Sequence, residues 1–430
     1  MAIHRTLPIS RFRSAIVIFS LLLLSAGIGY RFGERRAHFE VTPDRRLIVN
    51  QDPPPQLTVD FSLFWDVWQR LNRDYIDAAS LNPQKMVEGA ITGMVGSLDD
   101  PYTSFLPAQE NKEFKEELGG AFEGIGAQLG LKDNRIIVIA PLDGTPAQKA
   151  GIRPSDWILK VNDEETIGWS IQEAVTKIRG PGGTEVTLEI LHEKDEDPVK
   201  ISIIRGTIAV PSVKFWVKAP SEITEISGVD RAATLLQKTD KIAYLQLNRF
   251  GDRTNDEWEK AIRELLKAKE TNGSLSGVVF DLRNNPGGYL DGSVYIASEF
   301  VRDGIIVSQV NSDGTKEEYP VRRRGRLLTI PIVVLINKGS ASASEIVAGA
   351  LRDHKRATIV GETSFGKGSV QTPQDLPGGA GIHITTGKWL LPNGDSISKK
   401  GITPDVAVSL DSYEATMDAQ LAKAVELLLQ

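Results

Sequence analysis

A serine and a lysine, each in a run of small residues, have the chemistry of a hydrolase pair. The stretch at 337–354, NKGSASASEIVAGALRDH, puts Ser342 near the start of an amphipathic helix, and GETSFGKGSVQ at 361–371 puts Lys367 in a glycine-rich turn. Unpaired backbone N–H groups and the helix dipole favour negative charge at a helix N-terminus. A lysine in a tight apolar turn can lose its proton and act as a base. The pair therefore predicts a Ser/Lys hydrolase site.

The composition argues against several other kinds of chemistry. The chain of 430 residues has no cysteine, which removes thiol nucleophiles, disulfides and thiolate metal sites. With only five histidines, a His-rich metal cluster is not expected, and neither a metal nor an organic cofactor is needed for the predicted chemistry. A net charge of −6 gives no reason to expect nucleic-acid binding. The length allows two or three domains.

The N-terminus has the pattern of a membrane anchor. Residues 14–30 are uncharged and lie between Arg13 and Arg31. At ~1.5 Å per residue they span roughly 25 Å, the lower limit for a membrane helix. The arginines before this run are typical of a signal n-region, and no clear cleavage site follows. We therefore expect residues 1–36 to be an uncleaved signal-anchor, with cleavage as the alternative, and the catalytic part to be extracytoplasmic, on the periplasmic or cell-surface side.

The rest of the chain changes its pattern three times. Residues 37–60 are polar, contain three consecutive prolines and are typical of a stiff linker. Helical spacing of apolar residues predicts a helical part at 61–118. Short strands and turns predict a β-rich module at 119–206. Buried strands that alternate with helices predict an α/β (α+β) core at 207–430, in which the Ser342 helix follows directly after a buried strand.

The module at 119–206 resembles a PDZ domain, although a generic small β-rich module is the alternative. The matching residues, in order, are Gly124-Ile125-Gly126, Pro146-Ala147…Ala150-Gly151 and Asp156-Trp157-Ile158-Leu159. PDZ domains add an extended peptide to a sheet edge, and N–H groups of the loop hold its C-terminal carboxylate. The resemblance implies that Gly124, Ile125 and Gly126 bind peptide.

Residues from about 60 to 408 resemble the carboxy-terminal processing peptidases, also called tail-specific proteases. The motifs that carry the resemblance as a set are Asp100-Pro101-Tyr102-Thr103, the PDZ-like insert, Arg283-Asn284-Asn285-Pro286-Gly287-Gly288, Gly339-Ser340-Ala341-Ser342-Ala343-Ser344-Glu345, Gly366-Lys367-Gly368-Ser369-Val370-Gln371 and Gly401-Ile402-Thr403-Pro404-Asp405. The resemblance implies a core similar to the crotonase/ClpP-like ββα fold. It also implies a serine endopeptidase that acts on proteins or peptides with free, unstructured C-termini, and it allows a homo-oligomer.

The resemblance also assigns the reacting groups. Ser340, Ser342 and Ser344 are all candidates by spacing, and alignment on Lys367 selects Ser342 as the nucleophile. Lys367 would then be the general base, and Gln371, four residues later, would orient it through its amide.

Four further roles follow from the same resemblance or from position. The N–H groups of Gly288 and Ala343 are expected to form the oxyanion hole. Glu345 lies three residues after the nucleophile and either supports the site or only partners the helix dipole. Arg205 is expected to couple peptide binding to assembly of the active site, with an ordinary surface arginine as the alternative.

Three other hypotheses remain open. His354, at the end of the nucleophile helix, or His383, in a strand, could serve as the base in place of lysine. The chain could be a catalytically silent scaffold that binds C-terminal tails, although an intact Ser/Lys pair argues against this. An acyl-CoA-type enzyme would share the oxyanion layout, but the PDZ-like insert disfavours it.

Overall fold

The computed structural model describes residues 60–193, 195–226, 240–272, 275–409 and 418–430, together with the backbone of two short strands before them. Those strands, β1 (His38–Val41) and β2 (Leu47–Asn50), pair antiparallel within the stretch predicted as a linker. The predicted membrane segment 14–30 lies outside the described residues. Within the described residues, no helix is long and apolar enough to span a membrane.

The chain divides into two compact units, residues 1–86 and 87–430. The region predicted to be helical contains three helices and one short strand. They are α1 (Ser62–Asp74), the 3-10 turn Ala78–Ser80, α2 (Pro83–Gly96), β3 (Ser104–Leu106) and α3 (Ala108–Gly119). The α2 helix begins at Pro83, where the missing N–H of proline breaks no helical hydrogen bond.

The region predicted to be PDZ-like is a small antiparallel sheet with two helices. Its elements are β4 (Ala121–Gly124), β5 (Ala127–Lys132), β6 (Arg135–Pro141), α4 (Pro146–Lys149), β7 (Trp157–Val161), β8 (Glu164–Glu165), α5 (Ile171–Ile178), β9 (Glu185–Leu191), β10 (Val199–Ile204) and β11 (Gly206–Ala209). The strand order is β10-β9-β7-β6-β5, with β8 beside β7, so β5 is an edge strand. The first and last strands of the region, β4 and β11, pair with each other where the chain enters and leaves it.

The peptidase-like region contains two sheets. Its strands are β12 (Val213–Lys218), β13 (Lys241–Leu247), β14 (Leu275–Asp281), β15 (Ile305–Asn311), β16 (Lys316–Pro320), β17 (Ile332–Ile336), β18 (Thr358–Gly361), β19 (Ser369–Asp375), β20 (Gly381–Leu390) and β21 (Val406–Ala407). One sheet has the order β12-β13-β14-β17-β18-β21, and only its β12–β13 pair is antiparallel. The other sheet is antiparallel with the order β16-β15-β20-β19, and β3 joins β20.

Helices complete this region and cover the parallel sheet. They are α6 (Thr254–Asn272), α7 (Leu290–Ala297), α8 (Ala343–Asp353) and α9 (Ala419–Leu428), with 3-10 turns at Pro220–Glu222, Thr224–Ile226 and Pro377–Gly379. The strand Ile332–Ile336 is buried along its whole length, as expected for a parallel strand covered on both faces. Three aromatic rings meet in the core, since Phe280 lies 5.3 Å from Trp258 and 5.5 Å from Phe300 between ring centroids.

The order of the parallel strands brings three separate loops together. β14, β17 and β18 are neighbours and run in the same direction, so their carboxyl ends lie at one edge of the sheet. The loop after β14 contains Gly288, the loop after β17 contains Ser342, and the loop after β18 contains Lys367. The chemistry predicted from three distant sequence motifs therefore converges through sheet topology.

Candidate active site

A cavity of about 380 Å³ lies where the three loops meet. Its lining includes all five residues to which the sequence assigns the reaction, namely Gly288, Ser342, Ala343, Lys367 and Gln371. The rest of the lining is largely apolar. Groups of three or more side chains able to hold a metal ion do not occur among the described residues.

The glycine loop packs directly onto the turn that carries Ser342. A Cβ atom added to Gly287 would lie 2.8 Å from Ser342 Cβ and 2.9 Å from Ala343 N. Gly287 also has φ +100°, a conformation that favours glycine. Only a residue without a side chain allows this approach, which explains the glycine at this position.

Ser342 has an unusual backbone at the start of α8. Its φ of 55° and ψ of −116° lie in a region that L-residues rarely adopt, at a cost of about 1–3 kcal/mol. The side chain is only partly buried, and its hydroxyl makes no capping hydrogen bond to the helix. Strain of this kind clusters at functional sites, and here it presents the hydroxyl to the cavity at a helix N-terminus.

The two neighbouring serines have other hydrogen-bonding partners. Ser340 is fully buried, and its Oγ donates to Leu282 O over 2.8 Å. Ser344 is also fully buried, and its Oγ donates to Asn285 O over 2.8 Å. Both hydroxyls attach the helix turn to the glycine loop, and neither residue lines the cavity. The geometry therefore favours Ser342 among the three candidates.

Lys367 is largely enclosed, as the predicted chemistry requires. Burial lowers the pKa of Lys367, while the negative charges of Asp100 and Glu345 act in the opposite direction. Its Nζ lies 5.4 Å from the centre of the Tyr102 ring, an arrangement that stabilises the ammonium form. The proton on Lys367 therefore depends on a balance in which burial has the largest effect.

Asp100 and Tyr102 belong to the DPYT motif, to which the sequence assigned no separate role. Burial raises the pKa of Asp100, but hydrogen bonds from Thr385, Thr103 and nearby backbone N–H groups outweigh it, so the net shift is downward. Thr103 Oγ1 donates to Asp100 Oδ2 over 2.7 Å and accepts from Thr385 N over 3.0 Å. The motif thus carries a fixed negative charge and an aromatic ring to the lysine side of the cavity.

Glu345 connects the serine turn to the lysine turn. Its side chain is fully buried, and Oε2 accepts hydrogen bonds from Ser342 N (2.8 Å) and Lys367 N (3.0 Å). Oε1 accepts from Ser364 Oγ (2.6 Å) and Gly366 N (2.7 Å). Burial raises the pKa of Glu345, and these four donors oppose that rise. Glu345 therefore does more than partner the helix dipole, because its one carboxylate binds both the turn of Ser342 and the turn of Lys367.

Gly288 and Ala343, the predicted oxyanion-hole residues, both line the cavity, and their role in an oxyanion hole stays a prediction. The helix begins at Ala343, so its N–H has no partner in the helical ladder. Gly288 has φ +138°, and an added Cβ would lie 2.0 Å from Phe250 O. The neighbouring N–H groups are used, since Gly287 N donates to Asn285 Oδ1 and Tyr289 N donates to Phe250 O. Among the described residues, no acceptor is assigned to the Gly288 N–H.

Gln371 lines the cavity, but its amide donates to Ser369 and Thr385 and not to Lys367. Its Nε2 donates to Ser369 Oγ over 2.8 Å and to Thr385 Oγ1 over 3.4 Å. These partners lie on β19 and β20, within the antiparallel sheet. Orientation of the lysine by Gln371 therefore stays a prediction.

Arg205 lies in the PDZ-like region, and it is not the surface arginine considered as the alternative. The residue is 8% exposed, and burial lowers its pKa. Its Nε donates to Ile178 O over 2.8 Å, at the end of α5, and Nη1 donates to Glu185 O and Thr184 Oγ1. These contacts join α5 to β9, and Arg205 does not line the cavity. Its coupling role stays a prediction.

The predicted peptide-binding loop Gly124–Gly126 is buried and leads into the edge strand β5. Gly126 has φ +78°, and a Cβ there would lie 2.5 Å from Thr145 Cβ. Thr145 Oγ1 donates to Gly126 O over 3.0 Å, and Ala147 N donates to Ile125 O over 2.8 Å. The loop is therefore held tightly against the start of α4.

The two histidines lie in different surroundings. His354 Nε2 contacts Ile305 O over 2.8 Å, and the residue does not line the cavity. His383 does line it and packs against Phe114, with ring centroids 4.5 Å apart. Burial lowers the pKa of His383, and the charge of Lys367 lowers it further. The Ser/His alternative therefore rests on His383 alone.

One contact beneath the glycine loop was not predicted. Arg283, directly before the loop, has an 11% exposed side chain and lies 2.6 Å from Asp281 and 2.7 Å from Asp418. Asp418 is the N-cap residue of α9, so the C-terminal helix is attached to the base of the glycine loop. The RNNPGG motif pointed to Arg283, but no local pattern connects it to an aspartate 135 residues later.

Comparisons with known proteins agree with this geometry. Residues 241–408 match Peptidase family S41, residues 137–191 match the PDZ domain, and residues 22–110 match the Activating protease CtpB N-terminal domain. A carboxy-terminal-processing protease of Bartonella bacilliformis is 39% identical over 349 residues, which cover 80% of this chain and 74% of that relative. The carboxy-terminal processing protease CtpA of Bacillus subtilis is 37% identical over 80% of this chain and 68% of its own length.

A solved structure supports the fold. A Bacteroides fragilis protein assigned to the S41 proteases aligns over 88% of this chain and 99% of its own, with a TM-score of 0.51 and 15% identity. At that identity the likeness concerns the mixed α/β fold alone. The family matches and the sequence relatives show that the chain belongs to peptidase family S41, the carboxy-terminal processing serine proteases, and carries a PDZ domain.

Proposed function

We propose that this protein is a serine endopeptidase that cleaves protein substrates near their C-terminus through a Ser342/Lys367 dyad. One observation carries the proposal: a strained serine at a helix N-terminus shares a cavity with an enclosed lysine whose pKa is lowered by burial. A nucleophile needs an adjacent base, and a lysine becomes a base at moderate pH only when burial disfavours its charge.

The proposed reaction proceeds through an acyl-enzyme. Neutral Lys367 accepts the proton of Ser342 Oγ while Oγ attacks the carbonyl carbon of the scissile bond. The N–H groups of Gly288 and Ala343 stabilise the negative charge that develops on the carbonyl oxygen. Lys367 then gives its proton to the leaving amine, and water, activated by the same lysine, hydrolyses the ester. The chain supplies every group, without a metal or an organic cofactor.

In this proposal the PDZ domain captures the substrate tail. An extended peptide would add to the edge strand β5, beside α5, with its terminal carboxylate at the Gly124–Gly126 loop. The free edge of β5 and the tight backbone of the loop support this arrangement. Capture of the tail would raise the local concentration of cleavable backbone at the cavity.

The remaining parts of the proposal concern location and fold. We infer anchoring in a membrane through residues 14–30, with the catalytic part on the periplasmic or cell-surface side, from the uncharged run between arginines. A homo-oligomer is compatible with this arrangement. The core is proposed to be crotonase/ClpP-like, which the convergence of three loops at one edge of a parallel sheet supports.

Removal of either dyad residue should abolish peptide cleavage. We expect Ser342→Ala and Lys367→Ala each to lower kcat by about 10³-fold or more, because the nucleophile or its base is lost. Circular dichroism should show intact folding, and a fluorophosphonate probe should label wild-type Ser342. The matched control is Lys338→Ala, since that side chain is 84% exposed. Normal turnover by Lys367→Ala would exclude the dyad. If Lys367→Ala were active and His383→Gln inactive, the two results would favour a Ser/His mechanism.

Activity should rise with pH as Lys367 loses its proton. Because burial lowers the pKa of Lys367, the midpoint of the rise in kcat/KM should lie below the ordinary lysine value of about 10.4. The direction is fixed by the role, since only the neutral amine can accept the serine proton. A pH profile measured with a peptide that has no titratable side chains tests this. A profile that falls through the same range would contradict the assignment of lysine as the base.

Glu345→Gln should lower kcat by about 10²-fold and leave KM nearly unchanged. Glutamine keeps one acceptor oxygen and replaces the other by an NH₂ group, so either Ser342 N and Lys367 N, or Gly366 N, lose their acceptor. A small misplacement of a turn has an effect of this size. Steady-state kinetics and thermal unfolding measure the result. Glu362→Gln is the matched control, because in the described part of the chain that carboxylate has the exposed Lys338 as its ion-pair partner. A Glu345→Gln enzyme with wild-type kcat would contradict this positioning role.

A free C-terminal carboxylate on the substrate should improve cleavage. We expect a peptide amide to be cleaved with a kcat/KM about 10-fold lower than the matched peptide acid, mainly through KM, because the tail carboxylate would lose its N–H donors. Acetylation of the N-terminus of the same peptide serves as the control and should have little effect. Equal cleavage of acid and amide would argue against capture by the PDZ domain.

A further inference from the structure

A second cavity, of about 560 Å³, opens on the peptidase region away from the Ser342 site. Four of its six lining residues are arginines: the full lining is Arg302, Val321, Arg322, Arg323, Arg324 and Leu328. The two cavities have no lining residue in common. An assembly of four guanidinium groups around one cavity requires an explanation in a chain with a net charge of −6.

The backbone holds this arginine cavity in a defined shape. The hairpin of β15 and β16 pairs Ile305 with Pro320, and Val321 N donates to Gly304 O over 2.9 Å. These contacts bring the turn at 302–304 next to the run of arginines. A Cβ on Gly325 would lie 2.1 Å from Glu299 O, so glycine lets that run approach the end of α7 closely.

Ion pairs fix two of the four arginines. Arg323 Nη2 lies 2.7 Å from an oxygen of Glu299, which is fully buried, and Arg323 also stacks over Tyr295 with its Cζ 4.1 Å from the ring centre. Arg322 Nη1 lies 2.8 Å from Asp291. The charges of these two arginines are therefore largely balanced.

The positive charges of Arg302 and Arg324 are not balanced by ion pairs in this way. Both are exposed, and among the described residues neither has an acidic partner within 4.0 Å. Asp303 follows Arg302 in the sequence and is exposed, but no ion pair joins the two side chains in this part of the chain. The cavity thus has two unpaired positive charges, with Val321 and Leu328 as its apolar lining.

We propose that this arginine cavity binds a phosphate-bearing ligand through Arg302 and Arg324. The planar guanidinium fork matches phosphate oxygens in a bidentate manner. Two unpaired cations fit a group with two negative charges better than they fit a single carboxylate. A cavity of this volume admits a diphosphate or a lipid headgroup, and its volume is within the range of ligand pockets.

The test compares two double variants of the full-length chain at low salt. Arg302→Gln with Arg324→Gln removes the unpaired charges, whereas Arg135→Gln with Arg153→Gln removes two exposed arginines of the PDZ domain and serves as the control. Pyrophosphate binding is measured by calorimetry. Binding to lipid phosphate is measured by cosedimentation with vesicles that contain phosphatidic acid, whose phosphate monoester carries about two negative charges. The quantity scored is the excess over cosedimentation with phosphatidylcholine vesicles, because an anchor at residues 14–30 would bind both kinds of vesicle. Thermal unfolding checks that both variants are folded.

We expect the wild-type and control proteins to bind one of these probes, and the Arg302/Arg324 variant to bind it at least about 10-fold more weakly, since charge-assisted hydrogen bonds contribute this much. Higher ionic strength should weaken binding in the same way. Binding of pyrophosphate identifies a soluble source, and binding of phosphatidic acid vesicles alone, in excess of phosphatidylcholine vesicles, identifies a lipid source. Absence of binding to both probes, or equal binding by the two double variants, would overturn the proposal.

Discussion

The geometry of the site depends on one buried carboxylate. Glu345 is fully enclosed, with no cationic partner among the described residues, and four donors from the serine and lysine turns satisfy its two oxygens. An unsatisfied carboxylate in this position would be strongly unfavourable, so burial of Glu345 favours the arrangement in which both turns approach it together. The hydrogen bonds that compensate for burial of the carboxylate thereby fix the distance between the two loops.

The same carboxylate has a second, opposing effect on the lysine. Its negative charge favours the ammonium form of Lys367, as does the charge of Asp100, while burial favours the neutral amine and has the larger effect. A more apolar site would keep more of Lys367 as the neutral amine at a given pH but would lose the anchor that positions it. The site therefore combines precise placement with only part of the pKa shift that burial alone would produce. A substrate that fills the cavity and excludes water would move the balance further towards the neutral amine.

The sequence predicted those parts of the site that depend on local patterns. Buried strands followed by small-residue turns pointed to the loops of Gly288, Ser342 and Lys367, because apolar runs and glycines are visible without a structure. The sequence left open whether Glu345 supports the site or only partners the helix dipole. Its spacing from Ser342 on one helix does not show that the same carboxylate also contacts the lysine turn. Tyr102 was known only as part of a motif, because its contact with the lysine depends on the position of β3 beside β20. These contacts depend on sheet order, which no local pattern specifies.

Sheet order also explains why so many side chains hold backbone in place. Three loops that end parallel strands have no hydrogen-bond ladder between them, so side chains must supply the connections. Asn337 accepts from Asn284 N and donates to Asn284 Oδ1, both over 2.9 Å, while Ser344 Oγ and Glu345 make further connections. Below them, Arg283 attaches the glycine loop to the C-terminal helix. With the loops held at several points, the proposed reacting groups would be ordered before a substrate binds, and little binding energy would be needed to assemble them.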